Sequence, residues 1–447
     1  MRGAASHRAG MRNLVHLLSG GFAFLLPWLT RLEAAGLAAA ALLFNRYALP
    51  RLGGAALFRR EEARSPWTSG IVLYPAAVLV LILLFGGRMQ VAATAWVVMA
   101  AGDAAAGFFG RRFGRLKLPW NRDKSVTGSV AFALAAGLGG FSLLMVAGTG
   151  ALEACLLALP TALFASVIES LPWRLNDNLT VPLLSALFLR GLLEIDPVTL
   201  GAAAPGILRA VVIGSLVNFI FALAVHHLRL VDRSGMIAGW ALGVVTYGFA
   251  GWRGFAILVA FFLIGSAATR LGRQSKERLG IAQEKRGARS ARHALANCGV
   301  PAYLAVLVAA STTPGSFALA FVCALATAAF DTVSSEVGQA YGGRPVLITS
   351  LRSVAAGTNG AISWIGTLAG CLAALAIGGL AQGLGLLGPQ MQSIVVMAAF
   401  IGSTADSLLG ATLESGGLLD NEAVNFGNTL VGALAGLGLQ ALLANSV

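Results

Sequence analysis

The chain is poor in charge: of 447 residues only 11% are Asp, Glu, Lys or Arg, against 57% hydrophobic, and the mean hydropathy is +0.78. Such a composition excludes an ordinary soluble domain. Acids are scarcer than bases, 19 against 32, leaving a formal net charge of +13 and a pI near 10.6. The bases cluster in short loops between apolar stretches, so membrane orientation accounts for them and a nucleic-acid partner is not needed. Cysteine is rare too: Cys155, Cys298, Cys323 and Cys371 stand singly, without CxxC spacing. Neither a disulfide framework nor a zinc site is expected. The GxxxxGK[ST] P-loop and the protein-kinase signatures are also missing.

What the chain has is apolar length. Fifteen apolar stretches run from 14–30 to 424–443, most of them long enough to cross a bilayer as helices. The expected fold is therefore an all-α integral membrane protein of about fifteen transmembrane helices. Arg2, Arg8 and Arg12 precede the first stretch and Arg31 follows it, which reads as an uncleaved first helix. The loop "LLEIDPVTLGAAAPG" (192–206) divides the chain into two domains, 1–198 and 199–447. Lys and Arg place the N-terminus, the 111–124 loop and the 270–293 loop in the cytoplasm, on the inner face of a cytoplasmic membrane. The numbers of spans between these markers, four and then six, are both even, as a shared side requires.

The second half repeats the first. "DAAAGFFGRRFGRLKLPWNRDKSV" (103–126) and "DTVSSEVGQAYGGRPVLITSLRSV" (331–354) both begin with Asp, and both have Gly seven and eleven residues on. Both close on a basic-Ser-Val triplet, Lys124-Ser125-Val126 and Arg352-Ser353-Val354. Looser echoes link "ESL" (169–171) with "DSL" (406–408), and Arg12-x3-His16 with Arg289-x3-His293. Two related units in tandem are expected, each with its acids at cytoplasmic helix ends.

An ionisable side chain in an apolar span is costly, which makes Asp103 and Asp331 candidates for chemistry. Glycine-rich turns let backbone N–H groups approach phosphates, a basic residue neutralises them, and carboxylates hold Mg²⁺ against their oxygens. On that pattern the catalytic candidates are Asp103, Lys124, Asp177, Asp331 and Arg352. The Mg²⁺ candidates are Asp103, Glu169, Asp177, Asp331, Glu336 and Asp406. Nucleotide contacts fall to Gly110, Gly114, Ser125 and Gly128 in the first unit, and to Gly338, Ser353, Gly357, Thr358 and Asn359 in the second. Weaker substrate candidates are Arg12, His16, Asn178, Arg289, Arg292, His293, Asn297 and Asn425. Each piece has a plainer use: glycines permit close helix packing, and a carboxylate at a helix end is readily solvated or paired.

At these motifs a family resemblance enters. "RNLVHLLSG" (12–20), "GDAAAGFFGRRFG" (102–114), "KSVTGS" (124–129) and "ESLPWRLNDNLTVP" (169–182) resemble the CTP-using polyprenol kinases, the group that includes dolichol kinase and phytol kinase. "RHALANCG" (292–299), "DTVSSEVG" (331–338), "RPVLITSLRSVAAGTNGAISWIG" (344–366) and "ADSLLGATLE" (405–414) resemble the membrane family that includes phytyl phosphate kinase. The resemblance implies that the first unit phosphorylates a long isoprenoid alcohol and the second phosphorylates the monophosphate to the diphosphate, with Mg²⁺ and a nucleoside triphosphate, CTP by family. The residues themselves leave ATP and UTP open, along with the identity of the isoprenol and the oligomeric state. Two positions depart from the family pattern: Asn176-Asp177 replaces an acidic pair, and Arg12-Asn13 a basic pair. The alternatives are a cytidylyltransferase making a CDP-activated lipid and a membrane transporter.

Overall fold

The computed structural model describes residues 18–52, 70–172, 175–271 and 288–444. The described residues are mostly helical, and the chain divides into two compact units, Met1–Leu193 and Glu194–Val447. Where they are described, the apolar stretches read from the sequence fall largely on helix, and ten helices among the described residues are long and apolar enough to cross a membrane. This is an all-α integral membrane protein.

The first unit opens with a 3₁₀ turn, Phe22–Trp28, and then α1 (Arg31–Leu43), whose start is fixed by a reciprocal cap between Thr30 and Glu33. There follow α2 (Gly70–Phe85), α3 (Met89–Phe113), α4 (Val126–Val146), α5 (Ala151–Ser170) and α6 (Asp177–Leu192). Leu18–Trp28 and α2 are apolar but short; at 1.5 Å per residue the 16 residues of α2 extend about 24 Å. At the centre stands α3, the most buried span of the unit, whose run of Ala and Gly lets α4 come close. Trp96 on α3 donates its indole N–H to the Tyr74 hydroxyl of α2 at 2.7 Å, so this buried pair carries no unmet donor.

The second unit comprises α7 (Pro197–His227), α8 (Arg233–Arg270), α9 (Ala291–Ala310), α10 (Pro314–Tyr341), α11 (Trp364–Gly383), α12 (Gln392–Leu409) and α13 (Asn421–Ala444). A two-stranded antiparallel pair, β1 (Val346–Leu347) and β2 (Ala361–Ile362), lies between α10 and α11. Helix α8 is broken at Gly251, whose φ of 69° belongs to the left-handed region that glycine tolerates. Tyr247 and Phe255 on either side of the break bring their rings to 5.7 Å, so the two arms fold back on each other. They are the separate stretches that the hydropathy pattern separated near 251. Again the Asp-bearing helix is central: α10 is the most buried span among the described residues and packs on α9, α11, α12 and α13.

Candidate functional site

In the first unit the loop between α3 and α4 is held over the end of α5. Trp120 donates its indole N–H to Ser170 Oγ at 3.2 Å, and the Asn121 amide donates to the Ser170 and Leu171 carbonyls. That places Lys124 between two acids: its ammonium donates to Glu169 and, at 3.0 Å, to Asp177. Glu169 is buried, Asp177 is the first residue of α6, and Asp103 lies within electrostatic reach of Glu169. Burial pulls the Lys124 pKa down, but the Asp177 and Glu169 carboxylates outweigh it and the net shift is upward. Four sequence candidates from three separate segments thus meet at one place. Asn178 is buried beside them and donates to the Gly70 carbonyl at 3.1 Å, a contact that ties α6 to α2.

The helix ends expected from the sequence need a correction. Asp103 and Asp331 each lie ten residues inside their helices, because α3 continues to Phe113 and α10 to Tyr341. Backbone hydrogen bonding sustains these helices through their Gly-containing tails, that of α3 also carrying Arg111 and Arg112, where hydropathy alone would end the span. Glu169 does sit in the last turn of α5, whereas α12 runs on past Asp406 as a π-helical segment, Gly410–Glu414.

Gly110, Gly114, Ser125 and Gly128 form one packed cradle. Ser125 caps α4 by accepting the Gly128 N–H at 3.2 Å, and a methyl group added at Gly110 would lie 3.4 Å from both Ser125 Oγ and Gly128 Cα. A methyl at Gly114 would collide with Ser125 Oγ and the Gly110 carbonyl. These glycines bring two helices and a cap into contact, whatever else they touch.

The second unit builds the same cradle with a different serine. Ser363 caps α11 by accepting the Gly366 N–H at 3.2 Å, and Gly338 and Gly342 close on Ser363 as Gly110 and Gly114 close on Ser125. The register continues along the helices. Gly102 on α3 receives the Phe132 ring of α4, whereas Phe330 at the corresponding place on α10 fits against Gly370 of α11. One contact is therefore filled from opposite sides in the two units. Ser353, matched to Ser125 by the ungapped alignment, is exposed and caps no helix. Both triplets do close a small antiparallel turn: Leu118 and Val126 N–H bond to the Lys124 and Leu116 carbonyls, and Leu347 and Val354 N–H to the Arg352 and Pro345 carbonyls. The second unit then inserts ten residues, 363 minus 353, before its cap.

That insertion decides where the second unit's candidates lie. Gly357, Thr358 and Asn359 are exposed in it and Arg352 just before it; Thr358 donates to the Ala355 carbonyl and its own carbonyl accepts the Ala361 N–H. Gly360 anchors the segment against Ser407, Gly410 and Ala411, one turn beyond Asp406. Arg352 makes no ion pair among the described residues, and Ile362 occupies the place before the cap that Lys124 holds in the first unit.

Asp331 and Asp406 come within hydrogen-bonding reach of each other, and no Lys, Arg or His among the described residues pairs with either. Sequence reasoning missed two of their neighbours. Ser403 donates to Asp331 Oδ1 at 3.5 Å, and the fully buried Asn428 donates to Asp406 Oδ1 at 3.3 Å while its own Oδ1 has no partner. The signal was helical spacing, since Ser403 is three residues before Asp406 and Asn428 three after Asn425, itself buried on α13. No cluster of three or more His, Cys, Asp or Glu suited to a metal exists among the described residues. A pair of carboxylates beside an orphaned amide oxygen nonetheless fits Mg²⁺, which takes one or two protein carboxylates and completes its shell with phosphate and water oxygens.

The remaining candidates divide. Glu336 is buried one turn beyond Asp331, within electrostatic reach of Arg289. Arg289 stacks over Phe261 and Phe262 at 5.6 and 5.4 Å, and burial lowers its pKa. Asn297 is buried and donates to the His293 carbonyl. Arg292 is committed to a surface pair with Asp420 at 2.5 Å. Arg12 and His16 lie outside the described residues.

Comparison with known proteins points to the second unit first. The family model "Integral membrane protein DUF92" matches residues 216–433. An uncharacterized membrane protein of Synechocystis sp., sll0875, is 39% identical over 237 residues, 52% of this chain and 91% of that one. Protein VTE6, chloroplastic, of Arabidopsis thaliana is 35% identical over 220 residues, 47% of this chain and 66% of that one. A protein of Triticum aestivum named probable phytol kinase, chloroplastic, is 33% identical over 197 residues, 39% of this chain and 65% of that one. No solved structure matches. Asp331, Asp406 and Arg289 all fall inside the matched segment, and the extent of the Synechocystis match leaves no doubt about the lineage: the chain belongs to the DUF92 family of integral membrane proteins.

Proposed function

We propose that the protein is a membrane isoprenoid kinase whose first unit phosphorylates a long-chain isoprenoid alcohol and whose second phosphorylates the monophosphate. The observation that carries this reading is the repeated pairing of a central-helix aspartate with the acid of "ESL" or "DSL", each beside a serine-capped glycine cradle. The similarity to a probable phytol kinase supports the same chemistry. The nucleoside triphosphate is CTP on the resemblance of the motifs, and the acids face the cytoplasm, where nucleotides are.

The units differ where the reactions differ. An alcohol oxygen must lose its proton as it bonds to the γ-phosphorus and the nucleoside diphosphate leaves, so the first unit requires a base. Asp103 or Asp177 fills that role, and Lys124, beside Glu169 and Asp177, offsets phosphate charge. A lipid monophosphate is already anionic, so the second unit has less need of a base and more of cations. Asp331 and Asp406, with Asn428 Oδ1, would hold Mg²⁺, which when bound screens the phosphate oxygens. Of the second unit's candidate cations, Arg289 has its Nη2 buried, and Arg352 is exposed just before the insertion.

The test uses purified full-length protein in nanodiscs with geranylgeraniol or phytol, a panel of nucleoside triphosphates, and mass spectrometry of lipid and nucleotide products. Release of nucleoside diphosphate with formation of lipid mono- and diphosphate is expected. Pyrophosphate with a CDP-lipid would instead establish a cytidylyltransferase, and no covalent product with any nucleotide would leave transport as the activity.

A further inference from the structure

The second unit holds a partly open cavity that runs from Arg289 along apolar walls to which the reading above gives no role. Its enclosed space is about 80 Å³ and continues into an open side, reaching about 700 Å³ when the solvent-side space is included. Its walls come from α7, from both arms of α8 and from the start of α9, and all belong to the one unit. The lining is polarised. Near the Gly251 turn it is apolar, with Leu242 and Phe255, and the Asn218 amide there is already bonded to the Gly214 carbonyl. At the opposite end stand Arg289, His293 and Asn297.

Arg289 is held there by its backbone. Its N–H bonds to the Leu230 carbonyl, its carbonyl accepts the Asp232 N–H, and Gly235 packs against that carbonyl with no room for a side chain. The guanidinium lies across Phe261 and Phe262, and its Nη2 is buried without a hydrogen-bond partner. A buried cationic donor left unmade is costly, so an anionic acceptor arriving there would gain more than at a solvated surface. Glu336 and Cys298 are the ionisable groups whose electrostatic influence reaches it among the described residues, along with the neighbouring His293. A methyl group added at Gly265 would collide with Nη2 and come within 3.4 Å of Thr332 Cγ2, so the cationic end of the cavity adjoins the turn of α10 that carries Asp331.

We propose that this cavity is the slot for a single-chain lipid phosphate monoester, its chain between the arms of α8 and its phosphate on Arg289. The choice of a phosphate monoester rests on the kinase reading; the shape and polarity of the slot do not. An apolar lining suits an unbranched or isoprenoid chain, and one guanidinium with a buried, unpartnered Nη2 suits one anionic head group.

Binding is measured on the full chain in phosphatidylcholine nanodiscs without nucleotide, using geranylgeranyl monophosphate, geranylgeraniol and palmitate as probes. The monophosphate should bind about tenfold or more tightly than the alcohol, the increment of one charge-assisted hydrogen bond to a buried donor. Arg289→Gln should erase that preference and leave the alcohol's affinity unchanged. Gly239 lines the cavity and has open space where a side chain would start, so Gly239→Leu should fill the slot without disturbing the fold and weaken both lipids by about tenfold or more. Undiminished binding in Gly239→Leu overturns the slot, and this arm decides even if Arg289→Gln fails to fold. Palmitate binding as tight as the monophosphate overturns the phosphate assignment. The two readings fail separately: binding without phosphoryl transfer removes the kinase, and transfer at unchanged KM in Gly239→Leu removes the slot.

Discussion

At the scale of single residues, the two units differ most in how their carboxylates are balanced. Lys124 is the sole ammonium between Glu169 and Asp177 among the described residues, and Glu169 is buried. Lys124→Ala would strand that carboxylate, at a cost of roughly 3 kcal/mol for breaking a buried pair from one side. A fall in the thermal midpoint, together with loss of alcohol phosphorylation, is the expected result. Because the pKa of Lys124 is raised in the folded chain, its contribution is complete below the ordinary lysine pKa and is lost only as pH rises through the folded value. The difference in thermal midpoint between the wild type and Lys124→Ala should therefore stay level from neutral pH to about pH 10 and shrink above it. In the second unit, Asp331→Asn keeps the shape of the pair but removes a charge. It should abolish conversion of supplied monophosphate while alcohol phosphorylation continues, and Asp103→Asn should do the reverse. Equal loss of both reactions in folded protein would argue for one composite site.

At the scale of elements, the cradle is the repeated part. In the first unit a large side chain on α4 fills the hollow at Gly102 on α3, and in the second a large side chain on α10 fills the hollow at Gly370 on α11. Phe132→Gly alone should leave a cavity, costing about 3–5 kcal/mol, and Gly102→Phe alone should overpack the contact by about 1–3 kcal/mol. Combining the two copies the second unit's arrangement and should recover part of the loss, a non-additivity readable in a double-mutant cycle. If the double variant were as unstable as the sum of the singles, the registers of the two units would not be equivalent. Ser363→Ala removes a cap and should cost about 1 kcal/mol, whereas Ser353→Ala, at an exposed position that caps nothing, should leave the thermal midpoint unchanged.

At the scale of the whole molecule, the sidedness of the acids depends on how many elements cross the membrane. Several in the first unit, α1, α2 and α6 among them, are shorter than the roughly 20 residues a straight crossing requires. Even span counts between basic loops predict that single cysteines at Arg122, Arg352 and Leu418 share one face, and that one at Val198 lies on the other. All four positions are exposed, so a membrane-impermeant thiol reagent reads them directly in a background lacking the native cysteines. Labelling of Arg122Cys from the face opposite to Arg352Cys would overturn the common side for the two sets of acids.

The sequence by itself determined the class of protein, since apolar stretches of that length have to form helices whose backbone groups are satisfied internally. It also determined which helices are special: an aspartate in an apolar run is costly wherever the helix lies, and Asp103 and Asp331 stand out from composition and spacing alone. Partnership was settled only in three dimensions. Lys124 meets Glu169 and Asp177 across 45 and 53 residues of chain, and Asn428 reaches Asp406 from another helix. The triplet match joined Ser125 to Ser353, yet the tertiary structure gave the cap to Ser363, because ungapped spacing cannot register an insertion that leaves the helix contacts unchanged. The same holds for Arg289: its sequence shows a base in a charged run, and only the packing of α7, α8 and α9 buries it at the end of an apolar cavity.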